Sequence, residues 1–469
     1  MEFHLPFFCF VFLLLQCCVH LAFCDSGGTV GINYGRIADD LPSPAQVVQL
    51  LKAQGITKVK LYDTDSTVLS AFSGSGISLT VAFPNEQLAA AAAGKSFTDD
   101  WIKSNILPYH PKTKIEAIAV GNEVFVDPKN TTKYLVPAMK NVHASLAGGN
   151  LSSSIKVSSP VALSALQTSY PSSAGAFKPE LVEPAVKPML KFLKDTESYL
   201  MVNVYPFFAY SANTDTISLD YALFRNNSGA GNKDAGNGLV YSNLLDAQID
   251  AVFAAMAALG FHDVKLVVSE TGWPSKGEEN EAGASAANAA AYNGNLVRRV
   301  LAGGGTPRRP EESLNVYLFA LFNENQKPGP VSERNYGLFY PNQQKVYDIP
   351  LTVATLNLNM TESKERVVAQ PAAAAGHTWC VASEKAGKEE LQKALDYACG
   401  KGKADCRPIQ PGATCYHPDS LEAHASYAFN SFYQKNSRGP GTCDFGGAAY
   451  VVTHPPRFGS CEFPTSVEN

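Results

Sequence analysis

The stretch "KLVVSETGWPS", residues 265–275, begins as an apolar run and ends on a carboxylate. Leu266 to Ser269 carry no charge and are rich in valine, which suits a strand buried on both faces. Glu270 follows at once. Thr271, Gly272, Trp273 and Pro274 come next, a turn with an aromatic inside it. A strand that stops on a carboxylate and turns suits a parallel sheet whose carboxyl edge carries function. On a surface strand the same Glu would mean nothing, so the rest of the chain decides.

Seven further runs have the same character. They are "TVGINYG" (29–35), "KVKLYD" (58–63), "SLTVAF" (78–83), "EAIAVGNE" (116–123), "IKVSSPV" (155–161), "YLMVNVYP" (199–206) and "NVYLFALFNEN" (315–325). Helical patterns lie between them. "SPAQVVQLLKAQG" (43–55) opens with Ser43 as N-cap and Pro44 in the first turn, and stops at Gly55. "SNLLDAQIDAVFAAMAALG" (242–260) and "SAANAAAYNGNLVRRVLAGGG" (285–305) repeat the pattern. Eight strand–helix units predict an α/β fold, a (β/α)8 TIM barrel. An open doubly wound sheet is the alternative, weakened because no GxGxxG follows the first strand.

The composition changes after Pro350. A chain of 469 residues favours more than one folding unit. We expect a signal peptide over 1–24, the barrel over 25–352, a linker over 353–378 and a small, mainly helical, disulfide-rich module over 379–463. The leader reading rests on "HLPFFCFVFLLLQCCVHLAFC", which is apolar and ends in small residues. Four of the ten cysteines leave with it. The other six, Cys380, Cys399, Cys406, Cys415, Cys443 and Cys461, cluster in the tail. In an exported protein they read as three disulfides, with 15 pairings open. Asn130, Asn150, Asn226 and Asn359 head N-x-S/T sequons, candidate glycan acceptors in a secreted chain. The polar end "CEFPTSVEN" lacks a lipid-anchor tail, so no membrane anchor is expected. The net charge of −5 and the scattered Lys and Arg argue against a nucleic-acid partner. No cofactor and no metal is expected, and the protein is expected to be a monomer.

Functional side chains of such a barrel project from the carboxyl ends of its strands. Those ends carry Asn33 and Tyr34, Tyr62 and Asp63, Asn122 and Glu123, Asn203 and Tyr205, Glu270 with Trp273, and Asn323, Glu324 and Asn325 with Lys327 beyond. Three Glu on strands four, seven and eight, beside amides and aromatics, suit glycoside hydrolysis. There one carboxyl protonates the leaving oxygen, and the other attacks or activates water. Tyr34, Tyr205, Phe207 and Trp273 are candidates to stack on sugar rings, with core packing as the alternative for each.

"LVVSETGWPSKG", "AIAVGNEV" (117–124), "GINYGRIADDLPSP" (31–44) and "FALFNENQKPGPVSERNYGLFYP" (319–341) resemble the motifs of glycoside hydrolase family 17, the plant endo-1,3-β-glucanases. The likeness runs over about residues 29–350. It implies retaining hydrolysis of β-1,3-glucan, with Glu123 as acid/base beside Asn122, Glu270 as nucleophile, and Glu324 and Lys327 as a supporting pair. Trp273 is then expected to wall the cleft. The tail, with "TWCVAS" (378–383), resembles carbohydrate-binding module family 43. That likeness implies β-1,3-glucan binding and the pairing Cys380–Cys443, Cys399–Cys406 and Cys415–Cys461. A mixed-linkage glucanase, a transglycosylase and an inactive wall-glucan-binding protein remain as alternatives. The cell wall is the expected location, with the vacuole as the other destination.

Overall fold

The computed structural model describes residues 27–225, 231–356 and, apart from short gaps, 378–465. The expected leader, most of the expected linker, Asn226 and Asn359 lie outside the described residues. The chain divides into two compact units, 1–361 and 362–469, and the division falls inside the segment read as a linker.

The first unit is a parallel barrel of eight strands, the fifth of them in two pieces. The strands are β1 (Thr29–Tyr34), β2 (Lys58–Leu61), β3 (Ser78–Phe83), β4 (Lys114–Val120), β5 (Lys156–Ser158 and Pro160–Ala162), β6 (Tyr199–Asn203), β7 (Lys265–Thr271) and β8 (Asn315–Leu318). β1 pairs with both β2 and β8, with Thr29 opposite Asn315, so the sheet returns on itself. The first piece of β5 pairs with β4 and the second with β6. The break falls at Ser159, within the single run expected over 155–161, where the strand passes from one neighbour to the other. β8 is shorter than its run. It stops at Leu318, and residues 319–323 continue as irregular chain, with Leu321 N–H donating to Asn33 O (2.8 Å) and Asn323 N–H to Phe339 O (3.1 Å).

Helices α1 (Pro44–Ala53), α2 (Pro206–Ala212), α3 (Leu244–Ala258) and α4 (Ala286–Leu301) lie in the connections. Gln46 Oε1 accepts from both Ser43 N (3.0 Å) and Ser43 Oγ (2.8 Å), which fixes the start of α1 where Ser43 and Pro44 predict it. The cap of α3 is Asn243, whose side chain accepts from Asp246 N (2.8 Å). The main core lies between strands and helices, where Leu266 and Val268 of β7 share one apolar cluster with Leu296 and Val297 of α4. Inside the barrel Ala117, Ala119 and Met201 form a smaller cluster.

The second unit pairs two short strands antiparallel, Trp379–Ala382 with Ala449–Val452, beside helices α5 (Lys388–Cys399) and α6 (Leu421–Lys435). Its three disulfides are Cys380–Cys443, Cys399–Cys406 and Cys415–Cys461. A core this small gains from such cross-links.

Candidate active site

Alternation along a strand sends side chains to opposite faces. Leu266 and Val268 face the helices, so strict alternation would put Glu270 there as well. It does not, because β7 carries a bulge. Val268 pairs with Val202, yet Glu270 pairs with Asn203, leaving Ser269 as an extra residue. The bulge turns Glu270 into the barrel mouth. Ser269 then donates its hydroxyl to Asn203 Oδ1 (2.8 Å).

Glu270 is 6 % exposed. Its Oε1 accepts from Lys60 Nζ at 2.9 Å and its Oε2 from Tyr205 OH at 3.0 Å. Burial pushes the Glu270 carboxyl up. The Lys60 charge, the Lys60 hydrogen bond and the Tyr62 and Tyr205 hydroxyls together outweigh it, so the group lies below the usual glutamate value. Lys60 is almost fully buried, 3.9 Å from the Tyr62 ring centre. Tyr62 OH donates to Asn33 Oδ1 (3.1 Å), and Asn33 Nδ2 donates to Ser269 O (3.2 Å), which ties β1 to the bulge.

Glu123 follows β4 in a left-handed conformation, φ 50°. That is an unfavourable region for a non-glycine residue and is held by its surroundings. Glu123 N–H donates to Pro160 O (2.9 Å), and the Asn85 side chain bonds both Asn122 N (2.8 Å) and Asn122 O (3.0 Å). Glu123 Oε1 accepts from Asn203 Nδ2 at 3.0 Å. Burial and then the Glu270 charge raise the Glu123 carboxyl above its ordinary value, against the Asn203 bond and the Lys60 charge. Two carboxyls on one cleft are thus pushed in opposite directions.

Both line a cleft of about 790 Å³, together with Asn122, Tyr205, Glu324 and Lys327. Glu324 lies six residues past the end of β8. Its carboxylate accepts from Ile37 N (2.8 Å) and is pushed up, chiefly by burial. Gly35 leaves it room, since a Cβ there would stand 2.5 Å from Glu324 Oε2. Lys327 forms its ion pair with Glu333 at 3.1 Å and lies 4.0 Å from the Phe319 ring centre. Its charge also acts on Glu324, lowering that carboxyl against the effect of burial.

Three aromatics need correction. Trp273 is 0 % exposed and does not line the cleft. Its Nε1 donates to Gly283 O (2.9 Å), and its ring packs on Phe207, Tyr210 and Tyr292. The turn at Gly272 carries the chain against β8, where a Cβ would stand 2.2 Å from Phe319 O, so Trp273 ends up behind the site. Tyr34 alternates away from Asn33, packs edge-on against Phe322, and has its hydroxyl pushed by burial to about 12. Phe207 is buried as well. Asn33 is buried beneath the cleft rather than in it. The rings on the cleft are Tyr62, Tyr205, Phe208, Phe319 and Tyr336. Of the residues that sequence reasoning missed, Lys60 alone left a signal: a lysine inside an otherwise apolar strand, which a buried position tolerates only with a counter-charge.

Asn130 and Asn150 are both exposed. Among the described residues no group of three or more His, Cys, Asp or Glu is placed to hold a metal ion, and no helix is long and apolar enough to cross a membrane. The second unit carries its own cavity of about 610 Å³, lined by Tyr397, Phe432 and Phe445 with Glu390 and Lys393.

A parallel barrel whose cleft holds the buried carboxyl of Glu270 and the half-buried one of Glu123 among polar and aromatic side chains has the parts of a carboxylate-based barrel glycosidase. Residues 30–351 match the model of glycosyl hydrolases family 17, and residues 378–450 match the X8 domain. The chain belongs to glycosyl hydrolases family 17. It is 44 % identical to glucan endo-1,3-beta-glucosidase 13 of Arabidopsis thaliana over 459 residues, covering 97 % of this chain and 88 % of that protein. It is 38 % identical to glucan endo-1,3-beta-D-glucosidase of Olea europaea, covering 97 % and 96 %. Among solved structures it is similar to CJP38, a beta-1,3-glucanase and allergen of Cryptomeria japonica pollen. That match has 41 % identity and a TM-score of 0.66, covering 69 % of this chain and 99 % of that one.

Proposed function

We propose that this chain is a secreted, endo-acting glucan endo-1,3-β-glucosidase that works by double displacement with retention. Glu270 attacks the anomeric carbon while Glu123 protonates the leaving oxygen. Glu123 then takes a proton from water, which opens the glycosyl–enzyme intermediate. The observation that carries this reading is the opposite bias of the two carboxyls on one cleft. Glu270 is held ionised by Lys60, Tyr62 and Tyr205, as a nucleophile requires. Glu123 is raised by burial and by the Glu270 charge, which favours the protonated form that an acid requires. The assignment to β-1,3-glucan is supported by relatives of that name at about 40 % identity over nearly the whole chain. The three disulfides fit an oxidising, extracellular setting. The X8 module binds the same polymer and keeps the barrel at high local substrate concentration.

The test is release of reducing ends from a linear β-1,3-glucan by the parent chain and by Glu270→Gln, with folding checked by circular dichroism. Activity in the parent, abolished in a folded variant, is expected. Equal activity in both places the nucleophile elsewhere.

A further inference from the structure

Glu123 stands on an unusual stretch of backbone. β4 ends at Val120, and two of the next three residues are left-handed, Gly121 at φ 67° and Glu123 at φ 50°. Gly121 adopts that conformation without strain. A glutamate does not, so contacts must hold it there. The neighbouring strands supply two of them. Gly121 N–H donates to Phe83 O (2.8 Å) at the end of β3, and Glu123 N–H to Pro160 O (2.9 Å) in β5. Asn122, between the two, is held by a side chain instead. Asn85 Nδ2 donates to Asn122 O (3.0 Å), and Asn85 Oδ1 accepts from Asn122 N–H (2.8 Å).

An amide that meets both backbone groups of one residue does what a paired strand does, for a segment that has already left the sheet. The two residues are 37 positions apart. The fit is close: a Cβ on Gly121 would stand 2.9 Å from Asn85 Oδ1 and 2.5 Å from Val124 Cγ2. Asn85 is half-buried in the β3–β4 connection and lies off the lining of the catalytic cleft. It can act on the reaction only through the chain that it grips. That chain leads directly to Glu123, whose carboxyl meets Asn203 Nδ2 at 3.0 Å. Relaxing Glu123 to an ordinary negative φ would redirect its side chain and break that meeting.

We propose that Asn85 is a positioning residue for proton transfer: its amide locks Asn122 so that Glu123 keeps the left-handed backbone that aims its carboxyl into the cleft. The proposal rests on the reading of Glu123 as acid/base given above. Glu270 is held by other partners, Lys60 and Tyr205. Loss of the Asn85 amide therefore damages proton transfer and spares nucleophilic attack. The two are separable by leaving group, because a sugar alkoxide needs a proton to depart and a dinitrophenolate does not.

The experiment compares the full chain with Asn85→Ala and Asn85→Asp, and with Glu123→Ala as reference. Each is assayed on linear β-1,3-glucan and on the dinitrophenyl β-glycoside of the β-1,3-linked glucose dimer, and each is melted. Asn85→Ala is expected to lower kcat/KM on the glucan about ten- to hundred-fold, the scale of two lost hydrogen bonds, and on the aryl glycoside less than about three-fold. Added azide should raise its kcat on the aryl glycoside. Azide attacks the anomeric carbon, the bond to Glu270 breaks, the carboxylate departs, and a β-glycosyl azide forms with no proton transferred. The parent chain, whose base works on water, should gain nothing from azide. Asn85→Asp keeps the acceptor for Asn122 N–H, should show a smaller loss of the same pattern, and decides the matter if Asn85→Ala does not fold. Equal losses on both substrates, or none on either, overturn the positioning role. A Glu123→Ala variant that cleaves the glucan like the parent removes the acid/base reading, and the role of Asn85 with it.

Discussion

Replacing Lys60 with Met is the sharpest perturbation that the site offers. Nζ stands 2.9 Å from Glu270 Oε1, and both groups are nearly excluded from water. At an effective dielectric of about 20, two charges at that separation attract by about 6 kcal/mol, or about four pKa units. The Tyr62 and Tyr205 hydroxyls persist in the variant and absorb part of the loss. A rise in the Glu270 pKa is therefore expected. On the double displacement proposed above the rate requires ionised Glu270, so the acid limb of the pH–kcat/KM profile is expected to move up with it. The basic limb, which the same proposal assigns to Glu123, is expected to move up less, since the Lys60 charge acts on Glu123 more weakly than do burial, the Glu270 charge and the Asn203 bond.

Stability responds with the opposite sign. In the parent chain the folded Glu270 titrates below its ordinary 4.5, so it stabilises above that value and the contribution fades as pH falls. In Lys60→Met the folded value lies above the unfolded one. The variant carries its full deficit, about 3–5 kcal/mol for a broken buried pair, at high pH and recovers as pH falls toward the unfolded value. Chemical denaturation across pH reads this directly. An acid limb that stays in place, together with a stability deficit independent of pH, would falsify the role given to Lys60.

Three further outcomes follow from the same geometry. Asp250 is buried, and its carboxyl is pushed up to about 6 from 3.8 by burial first and by the Asp246 charge. Asp250→Asn should therefore stabilise the fold at pH 7 by up to about 3 kcal/mol, a gain that shrinks as pH falls from about 6 toward 3.8 and is visible as a melting-temperature difference. Tyr205→Phe removes one charge-assisted bond to Glu270 (3.0 Å) while keeping a cleft ring, so kcat/KM should fall at least about ten-fold with little change in melting temperature. Removing the Cys380–Cys443 link, which closes a separation of 63 residues, should cost the second unit about 4 kcal/mol. Hydrogen exchange of peptides from 379–452 in the full chain should then speed up, and unchanged protection would count against an entropic role for that bond.

Much of this protein can be read from local pattern. Eight apolar runs, with capped helices between them, predict the barrel because a buried parallel strand and an amphipathic helix each have a short-range signature. The carboxyl ends of those runs single out Glu123 and Glu270 because a barrel gathers its strand ends on one edge. The six-cysteine tail announces a stapled module in the same way. Tertiary structure decided the rest. Lys60 and Glu270 are 210 positions apart, and no local pattern pairs them. The bulge at Ser269 shows only in the register of β7 against its neighbours β6 and β8, yet it decides which way Glu270 points. Trp273 and Tyr34 stand among cleft residues in the sequence and turn into the core in the fold, while Phe208 comes to the cleft from a helix. Chain order places a residue at a strand end. The side to which it points, and the charge that meets it there, depend on contacts that only the closed barrel creates.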